Sequence, residues 1–284
     1  MNQAELILTS KGEIYHLKLK PGQLAPNIIT VGDPKRIELF IPYFDSIDCR
    51  ISNREFSTLT GIFKGKPLSV MATGIGTDNI DIAMTEADAL FNIDFGNFKA
   101  KKKITPLTFI RMGTSGGLQE DIEVGDIVLS AAAVGLDNLY YFYQSKGNRW
   151  SEVNNILSQS MDIRTYTCGA DSALLEHFEG IGKTGITMTC PGFYGPQGRA
   201  LRTPIQYPNL LENLSALKLD EYRLTNFEME TAGIFAMAEI LGHRALSISG
   251  ILAHRKKGTF ADAPQLIVED LIDKSMNALE SWLT

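Results

Sequence analysis

The chain has 284 residues, of which 44% are hydrophobic and 21% are charged, a composition typical of a folded globular protein. Its formal net charge of -6 argues against nucleic acid as a partner, because proteins that bind polynucleotides usually carry a basic surface excess. The three cysteines lack the spacing of a disulfide framework or a metal site, and the N-terminal residues lack a signal-peptide pattern. No apolar run reaches the roughly 20 residues that span a bilayer. We therefore expect a cytoplasmic protein without a membrane or nucleic-acid partner.

Apolar runs typical of buried strands alternate with helix-like runs along the chain. In chain order they predict a strand at 28–31, a helix at 35–43, strands at 56–63 and 67–72, a helix at 78–91, strands at 107–112, 126–133 and 185–189, a helix at 230–241, a strand at 245–251 and a helix at 264–283. This alternation predicts an α/β fold, a three-layer α/β/α sandwich around a central twisted mixed β-sheet. We expect a single domain over residues 1–284, with the poorly patterned residues 136–165 as an excursion of that domain.

Three glycine-containing turns are predicted after strands, at residues 32–34, 74–76 and 113–117. In open α/β sheets ligands bind at the carboxyl ends of the strands, and glycine lets backbone N–H groups approach an anion closely. Arg36 follows the first turn and Arg111 precedes the third. Taken singly, each arginine fits a structural ion pair with an acidic residue. Together with Thr114 and the glycines, they favour a phosphate pocket.

Residues 113–117 also fit the G-x-S-x-G pattern of a hydrolase, in which Ser115 would be the nucleophile. That motif requires a helix after the serine, but residues 118–126 are typical of a loop. A phosphate and sugar cradle at residues 114–116 is therefore the better interpretation. The four histidines have no metal-binding spacing, so no metal site is predicted.

Two further segments carry side chains suited to a nucleoside. Residues 193–199 combine Phe193, Gln197 and Arg199, which can stack on a base, offer a donor and an acceptor, and stabilise negative charge on a carbonyl oxygen. The alternative is a surface loop with an ordinary exposed arginine. Met229 and Glu230 stand at the start of the last-but-one predicted helix, where a carboxylate either stabilises the helix N-terminus or binds sugar hydroxyls.

An ordered set of motifs extends with gaps from about His16 to Arg255, at residues 15–17, 31–36, 54–56, 73–76, 111–116, 193–199 and 227–230. With these motifs the chain resembles the nucleoside phosphorylases of the trimeric and hexameric type, most closely the uridine phosphorylases. The resemblance implies reversible phosphorolysis of uridine to uracil and ribose 1-phosphate, a step of pyrimidine nucleoside salvage. It implies inorganic phosphate as co-substrate and no metal or organic cofactor.

The resemblance also implies a role for individual residues. The phosphate site would comprise Gly32, Arg36, Arg54, Arg111 and Thr114, the ribose site His16, Thr114, Met229 and Glu230, and the base site Phe193, Gln197 and Arg199. The catalytic residues would be Arg111, Gln197 and Arg199. Arg54 and His16 would come from a neighbouring subunit, which implies a homo-oligomer, at least a dimer, with a hexamer as the larger alternative.

Two departures from the family pattern leave alternatives open. The base loop reads Gly195-Pro196-Gln197, whereas relatives commonly have proline and glycine in the opposite order. Residues 252–254, near which the purine phosphorylases carry an acidic residue, read Leu-Ala-His and argue against a purine. The alternatives are a purine nucleoside phosphorylase or nucleosidase of the same family, a serine hydrolase that uses Ser115, and a nucleoside-binding protein without catalytic activity.

Overall fold

The structure, a computed structural model, describes residues 2–145, 147, 150–161, 163–217 and 222–284. The strands are β1 Asn27–Val31, β2 Ser46–Asn53, β3 Phe56–Phe63, β4 Lys66–Ala72, β5 Ile93–Asp94, β6 Lys99–Ala100, β7 Thr108–Gly117, β8 Ile127–Gly135, β9 Tyr166–Gly169, β10 Lys183–Thr189, β11 Leu224–Glu228, β12 Arg244–His254 and β13 Thr259–Phe260. The α-helices are α1 Thr77–Asn92, α2 Ser151–Met161, α3 Ser172–Phe178, α4 Leu210–Ser215, α5 Thr231–Leu241 and α6 Pro264–Leu283. Four short 3₁₀ helices lie within the described residues, at Pro34–Tyr43, Leu139–Phe142, Glu179–Ile181 and Gly195–Gln197.

A large mixed sheet forms the centre of the protein, in the order β13-β12-β8-β10-β11-β7-β1-β4-β3-β2, with β9 beside β8. Strand β1 is parallel to both β4 and β7, so the carboxyl ends of these three strands lie at one edge. Strand β12 pairs with β7 as well as with β8, so β7, β11, β10, β8 and β12 close into a ring. This edge of the sheet is where a ligand is expected in an α/β fold.

Helices cover both faces of the sheet. Successive residues of β1 belong to different apolar clusters, because side chains alternate between the two faces of a strand. Ile28 packs in the cluster that includes Ile80 of α1 and Phe235 of α5, whereas Ile29 packs with Leu174 of α3 and Leu271 of α6. The predicted three-layer α/β/α arrangement around a mixed sheet is therefore confirmed.

Most predicted elements are present with small changes of boundary. The helix predicted at 35–43 is a 3₁₀ helix, which Asp33 caps by accepting a hydrogen bond from the Lys35 amide at 2.9 Å. The hairpin of β3 and β4 and the helix α6 lie as predicted. The segment 136–165 contains a 3₁₀ helix and α2, and its residues 146, 148, 149 and 162 lie outside the described residues.

The prediction of a turn at residues 113–117 was wrong, because β7 continues as a strand to Gly117. The glycines there allow close packing, not a reversal of the chain. A Cβ on Gly113 would lie 2.0 Å from Nη1 of Arg111, and one on Gly117 would lie 2.8 Å from the carbonyl oxygen of Ile122. The other two turns are present, and Gly74 and Gly76 have φ angles of 75° and 96°, which favour glycine.

Candidate active site

One cavity of about 700 Å³ lies where β1 and β4 end, beside the last residues of β7. All of the predicted site residues line it except His16 and Arg54; those that do are Gly32, Arg36, Arg111, Thr114, Phe193, Gln197, Arg199, Met229 and Glu230. Loops that are far apart in the sequence thus meet at the edge of the sheet where parallel strands end.

The floor of the cavity holds a buried cluster of one arginine and two glutamates. Nη2 of Arg111 lies 2.8 Å from Oε2 of Glu230 and 3.1 Å from Oε2 of Glu228, and Nη1 donates to Oγ of Ser249 at 3.1 Å. Burial lowers the pKa of Arg111, but the negative charges of the two glutamates outweigh it and the net direction is upward. The ion pair that the sequence left open as an alternative for Arg111 therefore exists, and it lies within the cavity.

The second carboxyl oxygen of Glu230 is fixed by the backbone. Oε1 of Glu230 accepts a hydrogen bond from the Gly76 amide at 2.8 Å, which connects the β4–α1 turn to the start of α5. Burial is the main cause that raises the pKa of this carboxyl group, whereas Arg111 opposes the rise. The carboxylate is thus held in one orientation at the cavity wall, with fixed acceptors for hydroxyl groups.

Arg36 lines the cavity without an ion-pair partner among the described residues. It forms none of the ion pairs found in the described part of the chain. Burial, followed by the positive charge of nearby Arg111, lowers its pKa. A partly buried guanidinium beside a second cation is stabilised by an anion from outside the chain. Because Gly32 and Thr114 line the same cavity, an anion there would have backbone and hydroxyl donors as well.

The loop of residues 193–199 forms another wall. Nη1 of Arg199 donates to Oε1 of Gln197 at 2.6 Å and to the carbonyl oxygen of Phe193 at 2.5 Å. The guanidinium carbon also lies 3.8 Å from the centre of the Phe193 ring. Gln197 is 2% exposed, so its amide is held in place while its Nε2 has no partner among the described residues. The wall presents an aromatic ring, an amide donor and a guanidinium side by side.

His16 and Arg54 do not line this cavity but lie together elsewhere on the same chain. Nδ1 of His16 is 2.6 Å from Oε1 of Glu86, and the Arg54 guanidinium lies 5.6 Å from the centre of the Tyr15 ring. Asn53, which precedes Arg54 in the chain, donates from Nδ2 to the carbonyl oxygen of His16 at 2.7 Å and so connects the segments of the two residues. Arg54 has a φ of 54°, an uncommon backbone conformation for a residue other than glycine. These two side chains therefore form one cluster that is separate from the cavity.

Ser115 lies on strand β7, and no general base contacts it within the described residues. Its Oγ accepts a hydrogen bond from Nδ2 of Asn226 at 3.0 Å, and an amide cannot remove the serine proton. Oδ1 of Asn226 in turn accepts from Thr187 and Thr225, which fixes the amide in this direction. Residues 118–126 form no helix. The structure therefore does not support Ser115 as an activated nucleophile.

Arg255 is a candidate site residue that the sequence interpretation missed. Its Nη1 is buried and has no hydrogen-bond partner in the described part of the chain. Burial, and then the charge of Arg199, lowers the pKa of Arg255 to about 10. A Cβ on Gly116 would lie 2.9 Å from Cδ of Arg255, so glycine makes room for this side chain. Its position directly after strand β12 is visible in the sequence, but its proximity to Arg199 is not.

The neighbouring residues of β12 bring no acidic group to the cavity. Leu252 and Ala253 line it, whereas His254 is fully buried and its Nδ1 accepts a hydrogen bond from the Lys257 amide at 3.1 Å. No cluster that could hold a metal ion occurs among the residues that the structure describes. No helix in the described ranges is long and apolar enough to cross a membrane.

Comparison with known proteins assigns the family. The sequence model of the Phosphorylase superfamily matches residues 26–281. The chain is 30% identical over 282 residues to the uridine phosphorylase of Thermococcus kodakarensis, covering 98% of this chain and 91% of that protein. It is 27% identical to a DeoD-type purine nucleoside phosphorylase of Colwellia psychrerythraea, covering 90% and 98%.

A solved structure agrees with these sequence comparisons. The Trypanosoma brucei nucleoside phosphorylase, whose crystal structure is described as showing uridine phosphorylase activity, superposes with a TM-score of 0.87 and 27% identity over 98% of this chain and 99% of that one. Since both the family match and the superposition extend over most of the chain, this protein belongs to the phosphorylase superfamily.

Proposed function

We propose that this protein is a uridine phosphorylase, a pentosyltransferase that converts uridine and inorganic phosphate to uracil and ribose 1-phosphate, and catalyses the reverse reaction. The observation that carries the proposal is the hydrogen-bonded pair of Gln197 and Arg199 in the wall of a cavity that also holds an unpaired Arg36. The similarity of this chain to proteins whose names or titles give uridine phosphorylase activity supports the same activity.

The base subsite is proposed to lie against the loop of residues 193–199. Phe193 stacks on the uracil ring, Nε2 of Gln197 donates to one carbonyl oxygen, and Arg199 donates to the other. Breaking the glycosidic bond leaves negative charge on uracil, and a guanidinium directed at that charge stabilises the transition state more than the ground state. Arg255, whose Nη1 is unpaired, adds positive charge behind Arg199.

The sugar and the phosphate are proposed to share the floor of the cavity. Glu230 accepts hydrogen bonds from ribose hydroxyls while Met229 packs against the sugar, and the Glu230 orientation is fixed by Arg111 and Gly76. Phosphate binds beside Arg36, near Gly32 and Thr114, where it stabilises the positive charge that develops on the ribose and then attacks its anomeric carbon. Placement and electrostatics carry the catalysis, so we propose that no metal or organic cofactor takes part.

His16 and Arg54 are proposed to complete the cavity of a neighbouring subunit. Their joint placement away from the cavity of their own chain supports this role, because one surface cluster could deliver both side chains to a partner. The active enzyme is then a homo-oligomer, at least a dimer. The three cysteines are far apart in the sequence and odd in number, which supports a reducing compartment, and we propose the cytoplasm.

A purine substrate is less well supported. The family also contains purine nucleoside phosphorylases, to one of which this chain is 27% identical. Protonation of a purine leaving group needs an acid close to the base, and Leu252 and Ala253 provide none at that wall. We therefore expect uridine to be preferred to inosine and adenosine.

A panel of nucleosides assayed with and without phosphate tests the proposal. We expect uracil release from uridine to require phosphate and to yield ribose 1-phosphate in equal amount. Cleavage of uridine without phosphate would identify a nucleosidase, and a preference for inosine or adenosine would identify a purine enzyme. Binding of uridine without turnover under any condition would contradict a catalytic role.

A further inference from the structure

A second cavity of about 630 Å³ borders the loop of residues 193–199, and we call it the rear cavity. The cavity of about 700 Å³ described above is called the substrate cavity. It is lined by residues of the loop 194–207 together with Leu136, Ile163, Pro191 and Leu210. Among the described residues, Arg199 alone lines both this cavity and the substrate cavity, so the loop 193–199 lies between the two. A volume of this size falls within the range of pockets that hold a small organic molecule, about 300–1,000 Å³.

The lining of the rear cavity is apolar with two cations. Leu136, Ile163, Ile205 and Leu210 contribute aliphatic surface, and no described lining residue is acidic. This differs from the substrate cavity, where four carboxylates accompany the arginines. In a chain with a net charge of -6, a cavity whose described lining carries arginine and no carboxylate is complementary to an anion.

Arg199 and Arg202, the two arginines of the rear cavity, differ in whether their guanidinium groups are already hydrogen-bonded within the chain. Nη1 of Arg199 is already used by the Gln197 side chain and the Phe193 carbonyl oxygen, and its guanidinium stacks on the Phe193 ring. Arg202 is exposed and forms none of the ion pairs or side-chain hydrogen bonds found within the described ranges. One guanidinium is therefore free to bind a single negative charge.

We propose that the rear cavity is a second ligand site, which binds a flat aromatic monoanion, a carboxylate or sulfonate on an apolar ring system. The rings pack between Ile163, Ile205 and Leu210, and the anionic group lies against Arg202. Burial of an apolar ring supplies most of the affinity, and the guanidinium selects the charged molecule over its neutral analogue. The proposal does not rest on the reaction proposed for the substrate cavity, although Arg199 lines both cavities.

Fluorescence titration with 8-anilinonaphthalene-1-sulfonate tests the proposal, with N-phenyl-1-naphthylamine as the neutral analogue. We expect saturable binding of one sulfonate per chain and weaker binding of the neutral molecule. Arg202→Ala should weaken sulfonate binding about fivefold and remove the preference for the anion. Ile205→Trp, which fills the cavity, should weaken the binding of both molecules about tenfold.

Two control variants locate the probe. Arg50→Ala removes an exposed arginine of β2 that pairs with Glu38, and it should leave the titration unchanged. Glu230→Gln alters only the substrate cavity and should also leave it unchanged. If Glu230→Gln weakens sulfonate binding while Arg202→Ala and Ile205→Trp do not, the sulfonate binds in the substrate cavity and the proposal fails. It also fails if no saturable binding is detected, or if the neutral analogue binds as tightly as the sulfonate.

Discussion

Replacing Arg199 with alanine tests the proposed transition-state stabilisation most directly. Arg199 donates to Gln197 and stacks 3.8 Å from the Phe193 ring, so the substitution removes a donor to the leaving base and also releases Gln197 from its orientation. Losing one donor to a developing anion costs about 2.7–4 kcal/mol of barrier, which is roughly a 100- to 1,000-fold loss of rate. We expect kcat/KM for uridine to fall by at least that factor, with most of the loss in kcat.

Steady-state phosphorolysis of uridine, followed by the absorbance change as uracil is released, measures the effect. Arg199→Lys should retain only a small part of the wild-type rate. Its ammonium group keeps the charge but cannot stack on Phe193 or donate two parallel hydrogen bonds as a planar guanidinium can. Arg50→Ala is the matched control for loss of an arginine and should keep full activity. A wild-type rate in Arg199→Ala would refute the role of this guanidinium in catalysis.

Three further predictions test other parts of the protein. Glu230→Gln should lower kcat/KM for uridine by about 100-fold, since it weakens the charge that aligns the sugar, and a change in KM for phosphate alone would argue against this role. Mixing inactive Arg36→Ala subunits with inactive Arg54→Ala subunits should restore about a quarter of wild-type activity if sites are shared, whereas no recovery after subunit exchange would contradict sharing. Gly113→Ala should lower thermal stability by about 1–3 kcal/mol through the clash described above, and Gly180→Ala, with open space around its Cβ, should not.

Several buried strands were predictable from the sequence, whereas the edge strand β2, the short strand β9 and the fully buried strand β11 were missed. The runs at β1, β3 and β4 are apolar because their residues are covered on both faces or packed against a helix. Strand β2 was missed because it pairs only with β3, and none of its residues is fully buried. An edge strand can carry polar residues on both faces, so periodicity does not reveal it.

The glycines of residues 113–117 show a second limit of the sequence. Glycine favours a turn by allowing positive φ, but it also allows close approach of neighbouring groups in an extended strand. At Gly113 the neighbour is the Arg111 side chain, two residues earlier on the same strand. That contact depends on how the buried arginine is oriented by Glu228 and Glu230, which local sequence does not contain.

Most of the candidate site was predictable because its residues stand at strand ends in a recognisable order. Arg255 was missed because its importance depends on the approach of Arg199, which follows from the packing of the base loop and not from any local pattern. His16 and Arg54 were assigned to a neighbouring subunit by resemblance alone. The fold of one chain keeps them apart from its own cavity, which leaves that assignment a prediction.

The charge balance of the substrate cavity gives a physical reason for a second subunit. Its lining carries three arginines, Arg36, Arg111 and Arg199, and four carboxylates, Asp33, Glu55, Glu228 and Glu230. A phosphate dianion would therefore enter a cavity whose own side chains carry no excess of positive charge, and Arg111 is already paired with two of the acids. A further cation near Arg36 would strengthen phosphate binding there. Arg54 of a neighbouring subunit is proposed to supply it, so phosphate affinity and subunit association should be lost together in variants that disrupt the oligomer.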